Sequence, residues 1–471
     1  MKDIKFGTGG WRAIIGDDFT CENIRKIAKG LCMMMQSTNL IDKPVVIGYD
    51  RRFLSRQAAE WFAEVLAKNE IKVLFVNRSA PTPLIMHTVK KQKLHFGVEI
   101  TASHNPSNYN GIKLIVSEGR DAPIQTTNQL EYLISLIDTD VEYTNFNQAL
   151  NEEKIMLVKN PFNDFIDDIL DLIDTKALKE RGLRVLFDPM HGSSIYPLLT
   201  VFYTARCTID TINDNRDAYF GDLMPAPSEN SLRKLRNEVL KGKYDFGIAL
   251  DGDGDRLGVI DANGNYISAN KILCLLYYYL VKYKGWQGPV VRNLATTHML
   301  DKIAESFGEK CYEVPVGFKY ISSKIDEVDA VLGGESSGGL TVRGHIHGKD
   351  SIYAASLFAE MLSVTNKTPS ELLDELKKEY GSFVMSEDNI KFNVDLKPSI
   401  EKTLMIDKML PDFNDKVIKV NYEDGCKVYF EDGFVICRFS GTEPLLRIMA
   451  ESTNANRARQ YINIFKEFLF D

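Results

Sequence analysis

The stretch TASHNP, Thr101–Pro106, follows the short apolar run Phe96–Ile100 and precedes a second strand-like run that contains Lys113. Ser103 therefore lies at the end of a predicted strand, where binding groups gather in open α/β sheets. A serine hydroxyl is a weak nucleophile that needs a neighbouring base, and His104 or Lys113 can supply one. Ser, Asn and Pro are also common turn formers, so the stretch alone favours a polar turn.

Outward from this stretch, strand-like and helix-like segments alternate. The pattern strand, helix, strand occurs within Pro44–Val76, Leu183–Ile212 and Pro289–Val314. Such units predict mixed or mainly parallel sheets covered by helices. The end of the chain differs, because short strands separated by Asp-Gly turns precede a single helix that begins at Ala455. The sequence therefore predicts an α/β protein with three similar mixed α/β domains and a smaller C-terminal α+β domain.

The composition indicates a cytoplasmic globular protein. The chain has 471 residues, of which 44% are hydrophobic and 26% charged, a length that suits roughly three or four domains. A net charge of −8 gives no general attraction for nucleic acid or an anionic membrane. The start, Met1–Lys5, lacks the apolar core of a signal peptide, and the seven cysteines show no paired spacing, which indicates reduced thiols.

A second unusual loop, DGDGDR at Asp251–Arg256, lies between two strand-like runs. Carboxylates on alternate residues can converge on one hard cation such as Mg²⁺ or Ca²⁺. An EF-hand would need Gly at position six and Glu at position twelve, where this chain has Arg256 and Ala262. The other explanation is an acidic turn with solvated charges. Because three close carboxylates are costly without a cation, we expect Asp251, Asp253 and Asp255 to bind a metal.

Two further loops have binding character. In GGESSGG, residues 333–339, the glycines allow a ligand to approach the backbone, and Glu335 and Ser337 can hydrogen-bond sugar hydroxyls. In RFSGTEP, residues 438–444, followed by Arg447, arginines, hydroxyls and free backbone N–H groups suit an anion such as phosphate. A glycine-rich turn and a hairpin with surface arginines are the plainer explanations. The GxxxxGK[ST] pattern of nucleotide triphosphatases is missing.

Taken together and in this order, the loops resemble the α-D-phosphohexomutase family, in its phosphoglucomutase/phosphomannomutase branch. A fifth match is FGTGGWR, residues 6–12, and the resemblance covers essentially the whole chain. It implies four domains around a central cleft, each giving one loop. We place these domains at 1–155 (phosphoserine loop), 156–264 (metal loop), 265–381 (sugar loop) and 382–471 (phosphate loop).

The resemblance also implies roles for individual residues. Ser103 is phosphorylated in the active enzyme, and Mg²⁺ is held by that phosphoserine and the three aspartates. Arg12 lies near the phosphoserine, and His104 or Lys113 handles the proton. Substrate is bound by residues of four segments: Arg256, Lys319, Glu335, Ser337, Arg438, Ser440, Gly441, Thr442 and Arg447.

The implied reaction interconverts glucose 1-phosphate and glucose 6-phosphate, and mannose phosphates are alternative substrates. Ser103 gives its phosphate to the free hydroxyl, and the hexose 1,6-bisphosphate turns over before its other phosphate returns to Ser103. We expect the last domain to move during this turnover. The expected assembly is a monomer or small homo-oligomer.

Two departures from the family pattern concern Gly339 and Gly9. Some relatives end the sugar loop with a histidine where this chain has Gly339, so the second acid/base is left to His345 or Lys349. Gly9 stands where aspartate or serine is common, and we expect little effect because Arg12 remains. The form GGESSGGL with a downstream HIHGKD is nearer to glucose-directed members.

Two other functions stay open. A haloacid-dehalogenase-like phosphatase or mutase would use Asp251 as nucleophile and Asp253 as acid/base, although Asp255 breaks that superfamily's DxDG[TV] pattern. A non-catalytic phosphosugar-binding protein would keep the fold, but the retained Ser103 and Lys113 argue against it.

Overall fold

The computed structural model of the chain describes residues 4–7, 9–439 and 445–470. They belong to two units, residues 1–272 with 337–370 and residues 273–336 with 371–471. In the described part of the chain, no helix combines the length and the apolar character that crossing a bilayer requires.

The first domain is a mixed seven-stranded sheet with helices packed against it. Its strands are β1 (Trp11–Ile14), β2 (Val45–Tyr49), β3 (Val73–Phe75), β4 (Phe96–Ile100), β5 (Tyr109–Val116), β6 (Arg120–Asp121) and β7 (Ile155–Leu157). Its helices are α1 (Cys21–Ser37), α2 (Ser55–Lys68), α3 (Thr82–Lys91), α4 (Ile124–Ser135) and α5 (Phe146–Asn151). The strand order is β1-β5-β4-β2-β3-β7, with β6 beside β5.

Local sequence explains these elements. The Thr20 side chain accepts a hydrogen bond from the backbone N–H of Asn23 and so caps α1. Ile24, Ile27 and Leu31 recur at helical spacing and form its buried face. Every residue of β2 is buried, as expected of a central strand with parallel neighbours on both sides.

The second domain is a five-stranded sheet in the order β12-β11-β10-β8-β9. Its strands are β8 (Arg184–Asp188), β9 (Thr208–Thr211), β10 (Phe246–Leu250), β11 (Leu257–Asp261) and β12 (Tyr266–Ile267). Its helices are α6 (Pro161–Leu172), α7 (Thr175–Arg181), α8 (Ile195–Thr204) and α9 (Arg233–Gly242). Strands β10 and β11 form an antiparallel hairpin in which Leu250 faces Leu257, so the six residues between them form a tight loop.

The chain then passes through the second unit and back. The next elements are α10 (Ala269–Lys282), β13 (Val290–Asn293), α11 (Met299–Ser306), β14 (Cys311–Val314), α12 (Phe318–Val328) and β15 (Leu332–Gly334). Strand β13 lies parallel to both β14 and β15. They are followed by β16 (Leu340–Val342), α13 (Ser351–Thr365) and α14 (Pro369–Tyr380).

The last domain is an antiparallel sheet with a helix on one face. Its elements are β17 (Val384–Lys391), α15 (Lys397–Glu401), β18 (Lys419–Asn421), β19 (Cys426–Phe430), β20 (Gly433–Phe439), β21 (Leu445–Ser452) and α16 (Ala455–Phe470). The strand order is β17-β21-β20-β19-β18. The fold class predicted from the sequence, three mixed α/β domains and a smaller α+β domain, is confirmed. The exact domain bounds and the central cleft stay predictions.

Within the second unit, a buried ion network joins the last domain to strands β13 and β14. The Lys427 ammonium donates to a Glu313 carboxylate oxygen and to the Leu294 carbonyl oxygen, both at 2.7 Å. Arg292 pairs with the same carboxylate at 2.5 Å and with Asp301 at 2.8 Å. These contacts place opposite charges close together on elements that lie far apart in sequence.

The network shifts the protonation equilibria of its members. Burial would raise the pKa of Glu313, but the hydrogen bond to His298 and the charges of Arg292 and Lys427 hold that pKa far below its ordinary value. Burial lowers the pKa of Lys427 to about 8, with the Arg292 charge acting in the same direction. The Glu313 carboxylate is therefore the group that the surrounding cations stabilise.

Replacing Glu313 with Gln should lower the free energy of unfolding by about 3 kcal/mol at pH 7, because Lys427 would lose its carboxylate partner in a buried site and Arg292 would keep Asp301 alone of its two carboxylate partners. The folded-state pKa is depressed, so the Glu313 contribution is present above its ordinary pKa of 4.5 and is lost as the pH falls below that value. Wild type and variant should converge on acidification. Urea unfolding at several pH values measures both effects.

The control is Glu327→Gln, which breaks the surface pair of Lys324 and Glu327. Its effect should stay below about 1 kcal/mol. Equal losses from Glu313→Gln and Glu327→Gln would show that the buried network does not stabilise the fold.

Candidate active site

The serine loop leaves β4 and is tightly held. Ser103 is buried and has a left-handed backbone conformation, with φ of 52°, which is uncommon for a residue with a side chain. Its backbone N–H donates to the Thr101 hydroxyl at 2.8 Å. The Ser103 hydroxyl donates to an Asp251 carboxylate oxygen at 3.0 Å. The His104 Nδ1 lies 3.4 Å from the Ser103 hydroxyl oxygen. The loop thus directs the serine hydroxyl at the acidic loop.

The acidic loop closes the hairpin of β10 and β11 by folding around its first aspartate. One Asp251 carboxylate oxygen accepts backbone N–H groups from Asp255 at 2.8 Å and Arg256 at 3.0 Å. Gly254 has a φ of 75°, which glycine adopts without steric cost. The side chains of all three aspartates are buried. The second Asp251 oxygen remains directed at Ser103.

Lys113 on β5 lies between the other two carboxylates. Its ammonium donates to Asp253 and to Asp255, both at 2.6 Å. The Thr82 hydroxyl, at the start of α3, donates to the same Asp253 oxygen at 2.6 Å. The Lys349 ammonium lies 3.0 Å from Asp255. Four segments of the first unit therefore contribute charge or hydrogen bonds to one small volume.

The pKa values of the three aspartates shift in different directions. Burial and the charges of Asp253 and Asp255 raise the pKa of Asp251 well above its ordinary value. Burial has the same tendency at Asp253 and Asp255. There the charge and the hydrogen bond of Lys113, joined by the Thr82 hydroxyl at Asp253 and the Lys349 charge at Asp255, together outweigh burial and lower the pKa of both carboxyls. Asp251 is therefore the carboxyl whose charge the protein's own cations compensate least. Burial, followed by the charges of Arg256 and Arg12, lowers the pKa of His104 well below its ordinary value, so His104 is neutral at pH 7.

The aspartate triad fits a magnesium ion. One oxygen of Asp253 and one of Asp255 are buried with no hydrogen-bond partner, and each of the three aspartates offers a ligand atom within 4.8 Å of the others. Mg²⁺ prefers such oxygen ligands. The unpartnered oxygens of Asp253 and Asp255, with Asp251 and the Ser103 hydroxyl beside them, form an all-oxygen set for a hard divalent cation.

Arg12 lies beside the serine loop, since its guanidinium donates to the Asn105 side-chain oxygen at 2.7 Å. Gly9, which departs from the family pattern, borders the Arg12 guanidinium. A Cβ added at Gly9 would lie 3.0 Å from one Arg12 nitrogen. Gly9 therefore leaves room for the arginine, and the small effect expected of this departure stays a prediction.

The two candidates for the second acid/base differ in their surroundings. The His345 Nε2 is bonded to Asp350 at 2.6 Å in a buried pair, and its carbonyl oxygen accepts a hydrogen bond from Lys90. The Lys349 side chain, in contrast, passes over Gly339, where an added Cβ would lie only 2.2 Å from the Lys349 Cδ. The glycine at 339 thus provides the space that the lysine occupies.

The sequence-predicted site residues divide between the two units. In the first unit, Arg256 lies 3.9 Å from Asp255, and Ser337 is exposed beside Gly338, whose carbonyl oxygen accepts the Leu257 N–H. In the second unit, four predicted residues are described: Lys319 in the first turn of α12, Glu335 after β15, Arg438 on β20 and Arg447 on β21.

Within the second unit, Glu335 accepts a hydrogen bond from the Asn293 side chain at 3.3 Å. Arg438 lies opposite Arg447 in the antiparallel register and pairs with Asp424 at 3.3 Å. The pairing of two arginines across one ladder agrees with an anion-binding role. Ser440, Gly441 and Thr442 lie outside the described residues.

Comparison with known proteins identifies the family. Four models of it, phosphoglucomutase/phosphomannomutase alpha/beta/alpha domains I, II and III and the C-terminal domain, match residues 3–140, 163–264, 268–380 and 398–467. The chain belongs to the phosphoglucomutase/phosphomannomutase family. It therefore belongs to a family of phosphohexomutases, which are isomerases, and its buried aspartate triad suits the family's dependence on a metal.

Individual relatives span the full length of the chain. A "Phosphoglucomutase/phosphomannomutase" of Thermococcus kodakarensis is 29% identical, covering 98% of this chain and 97% of that protein. A "Probable phosphoglucosamine mutase" of Methanobrevibacter smithii is 30% identical, covering 96% of each. A phosphoglucomutase structure from Paramecium has a TM-score of 0.83 over 100% of this chain and 95% of that chain, at 22% identity, which shows the shared fold.

The sequence interpretation missed a segment of this phosphohexomutase that supports the acidic loop. Met190 and His191 both have left-handed φ values, 49° and 59°, and Ser193 donates its N–H to the Gly252 carbonyl oxygen at 3.0 Å. A Cβ at Gly192 would lie 2.7 Å from that same oxygen. The sequence signal was the turn-forming DPMHGSS after strand β8, which ends at the same kind of sheet edge as β4.

Asp253→Asn should weaken binding of Mg²⁺, or of Mn²⁺ as its probe, by at least about 10-fold, because it removes a charged ligand from the triad. Isothermal titration calorimetry on the folded variant measures the dissociation constant. Asp138→Asn, which changes an exposed aspartate of the same unit, should bind the ion as the wild type does. Unchanged affinity in Asp253→Asn would contradict the proposed ligand set.

Proposed function

We propose that this chain interconverts glucose 1-phosphate and glucose 6-phosphate, and accepts mannose phosphates as well, through a phosphoserine at Ser103 and a hexose 1,6-bisphosphate intermediate. The observation that supports this most directly is the Ser103 hydroxyl, which lies 3.0 Å from Asp251 in a buried triad of carboxylates. Phosphoryl transfer depends mainly on positioning and on charge neutralisation. Both are supplied around this one oxygen.

In the first half-reaction, the bond from phosphorus to the Ser103 oxygen breaks and a bond to the free sugar hydroxyl forms. That hydroxyl loses its proton, and the serine oxygen regains one. Mg²⁺ bound by Ser103, Asp251, Asp253 and Asp255 would supply charge neutralisation for the transferring group. Arg12 adds a positive charge on the side of the serine loop.

In the second half-reaction, the free Ser103 hydroxyl attacks the other phosphate of the bisphosphate. The bond from that phosphorus to the sugar oxygen breaks as the bond to the serine oxygen forms, and the sugar oxygen takes up a proton. His104 is suited to take the serine proton, because its Nδ1 lies 3.4 Å from the serine oxygen and the ring is neutral at pH 7. By microscopic reversibility it returns the proton when the serine oxygen leaves. Lys113 is less suited to this role, since both carboxylates bonded to it raise its pKa against the effect of burial.

We propose Lys349 rather than His345 as the group that serves the sugar oxygen. Lys349 fills the space beside Gly339, the position at which some relatives have a histidine, and extends to Asp255. The His345 Nε2, in contrast, is bonded to Asp350, which is not a member of the aspartate triad. Lys349, ten residues after Gly339, would therefore take the place of the histidine that some relatives have at the glycine position.

The remaining substrate contacts are proposals that rest on the motif match. Arg256, Lys319, Glu335 and Ser337 would bind the sugar and its phosphate. The non-reacting phosphate would be held by one set of residues in the last domain: Arg438, Ser440, Gly441, Thr442 and Arg447. A site that accepts either end of the bisphosphate requires such a distant phosphate clamp, and the expected motion of the last domain would admit the turning intermediate.

The surroundings of Asp251 disfavour the dehalogenase-like alternative. One of its carboxylate oxygens accepts two backbone N–H groups, and the other accepts the serine hydroxyl. A nucleophilic aspartate needs an oxygen free to attack phosphorus. The names of the relatives include phosphoglucomutase, phosphomannomutase and phosphoglucosamine mutase, so the test of function compares these three substrates. The cytoplasmic location and the monomer or small homo-oligomer stay predictions.

Ser103→Ala should lower mutase activity at least about 1,000-fold, because the phosphate carrier is lost. A coupled assay with glucose, mannose and glucosamine 1-phosphates, each with a trace of the matching bisphosphate, measures activity and substrate preference together. Ser135→Ala, which removes an exposed hydroxyl of the first domain, is the matched control. Full activity in Ser103→Ala would refute the mechanism, and a preference for glucosamine 1-phosphate would refute the proposed substrate.

Lys349→Met should lower kcat about 100-fold or more, the usual contribution of a general acid/base. Gly339→Ala should cause a loss of similar size, because its Cβ would displace the Lys349 side chain. Steady-state kinetics on folded protein measures both variants. If His345→Gln loses more activity than Lys349→Met, the assignment between the two residues is wrong.

A further inference from the structure

Arg52 is a buried arginine whose guanidinium binds the serine loop through four backbone carbonyl oxygens. One nitrogen donates to Ser103 and Asn105, both at 2.6 Å, and the other donates to Pro106 at 2.8 Å and Tyr109 at 3.0 Å. Its side chain has no exposed surface. The loop therefore folds around the Arg52 guanidinium, which binds the Ser103 carbonyl oxygen among others.

Arg52 is itself held by a carboxylate that reaches the serine by a second path. The Asp50 carboxylate lies 3.3 Å from the Arg52 Nε and accepts hydrogen bonds from the hydroxyls of Ser55 and Thr101, both at 2.6 Å. The Thr101 hydroxyl oxygen in turn accepts the Ser103 N–H. Both peptide groups that flank the Ser103 Cα are thus anchored, one through Thr101 and one through Arg52.

The backbone of Ser103 is tightly constrained by the neighbouring acidic loop. A Cβ at Gly252 would lie 2.8 Å from the Ser103 carbonyl oxygen, so the backbones of the serine loop and the acidic loop are in close contact. The left-handed conformation of Ser103 persists only where surrounding contacts enforce it. Two anchored peptide groups supply that constraint.

We propose that Arg52 is a positioning residue for phosphoryl transfer, which sets the direction of the Ser103 oxygen toward the acidic loop; this inference rests on the proposed role of Ser103 as phosphate carrier. Arginine is needed because its planar fork offers five N–H donors, whereas a lysine has a compact ammonium with three. A lysine can keep the charge beside Asp50 but cannot hold four carbonyl oxygens in this arrangement.

The test compares Arg52→Lys and Arg52→Met with Arg51→Met. Arg51 is the preceding residue and donates to a single carbonyl oxygen, that of Asp214. The measurements are the melting temperature, kcat and KM for glucose 1-phosphate, and the rate at which Ser103 takes phosphate from glucose 1,6-bisphosphate, followed by mass spectrometry. We expect folded Arg52→Lys to lose about 100-fold in kcat and in phosphate uptake, the effect of a reacting atom misplaced by about 1 Å, with KM changed less than about 3-fold.

The outcomes separate the two proposals. A lower melting temperature with unchanged kcat per folded molecule in Arg52→Lys would overturn the positioning role, and so would equal kinetic losses in Arg51→Met. If both Arg52 variants fail to fold, Asp50→Asn decides, because it removes the charged partner that holds the Arg52 guanidinium: a wild-type kcat there overturns the inference, and a reduced kcat with unchanged KM supports it. If the wild type takes no phosphate on Ser103, the proposed function fails and this inference fails with it.

Discussion

Three buried carboxylates within a few ångströms of one another can persist in a folded chain only if positive charge lies among them. Lys113 supplies it for two of them, with 2.6 Å bonds to Asp253 and Asp255. This requirement ties β5 of the first domain to the acidic hairpin of the second. The third carboxylate, Asp251, accepts N–H groups and a serine hydroxyl, and no lysine of the described part of the chain is bonded to it. The same imbalance that makes the cluster costly suits it to a divalent cation beside Ser103, the proposed nucleophile.

Local patterns in the sequence were sufficient to predict the fold class, and they singled out the residues that the structure brings together in the core of the candidate site. Alternate aspartates in DGDGDR lie in a loop of only six residues between paired strands, so their convergence follows from spacing alone. The strand that ends before Ser103 and the strand that carries Lys113 are neighbours in sequence and in the sheet. Chemistry that depends on residues within a few positions of each other can therefore be predicted from the chain.

Contacts made across long separations could not be predicted in this way. Asp50-Arg51-Arg52 resembles an exposed charged turn, yet Arg52 is buried and Arg51 is only partly covered. Lys427 sits within a short strand with no local sign that it will be buried, and its partner Glu313 lies more than a hundred residues earlier. The choice between His345 and Lys349 likewise depends on Gly339 and Asp255, which spacing cannot locate. Each of these residues owes its role to a partner that only the folded chain supplies.

The loops of the site meet through backbone atoms, and this determines which glycines can be replaced. At Gly192 an added Cβ would meet the Gly252 carbonyl oxygen, and at Gly252 it would meet that of Ser103. Neither obstacle can rotate away, so a substitution there must move one loop against another. At Gly9 the nearest atom belongs to the end of the Arg12 side chain, which can adjust at little cost. The glycines next to Ser103 and the triad therefore fix distances between loops, whereas Gly9 leaves space for the end of the Arg12 side chain.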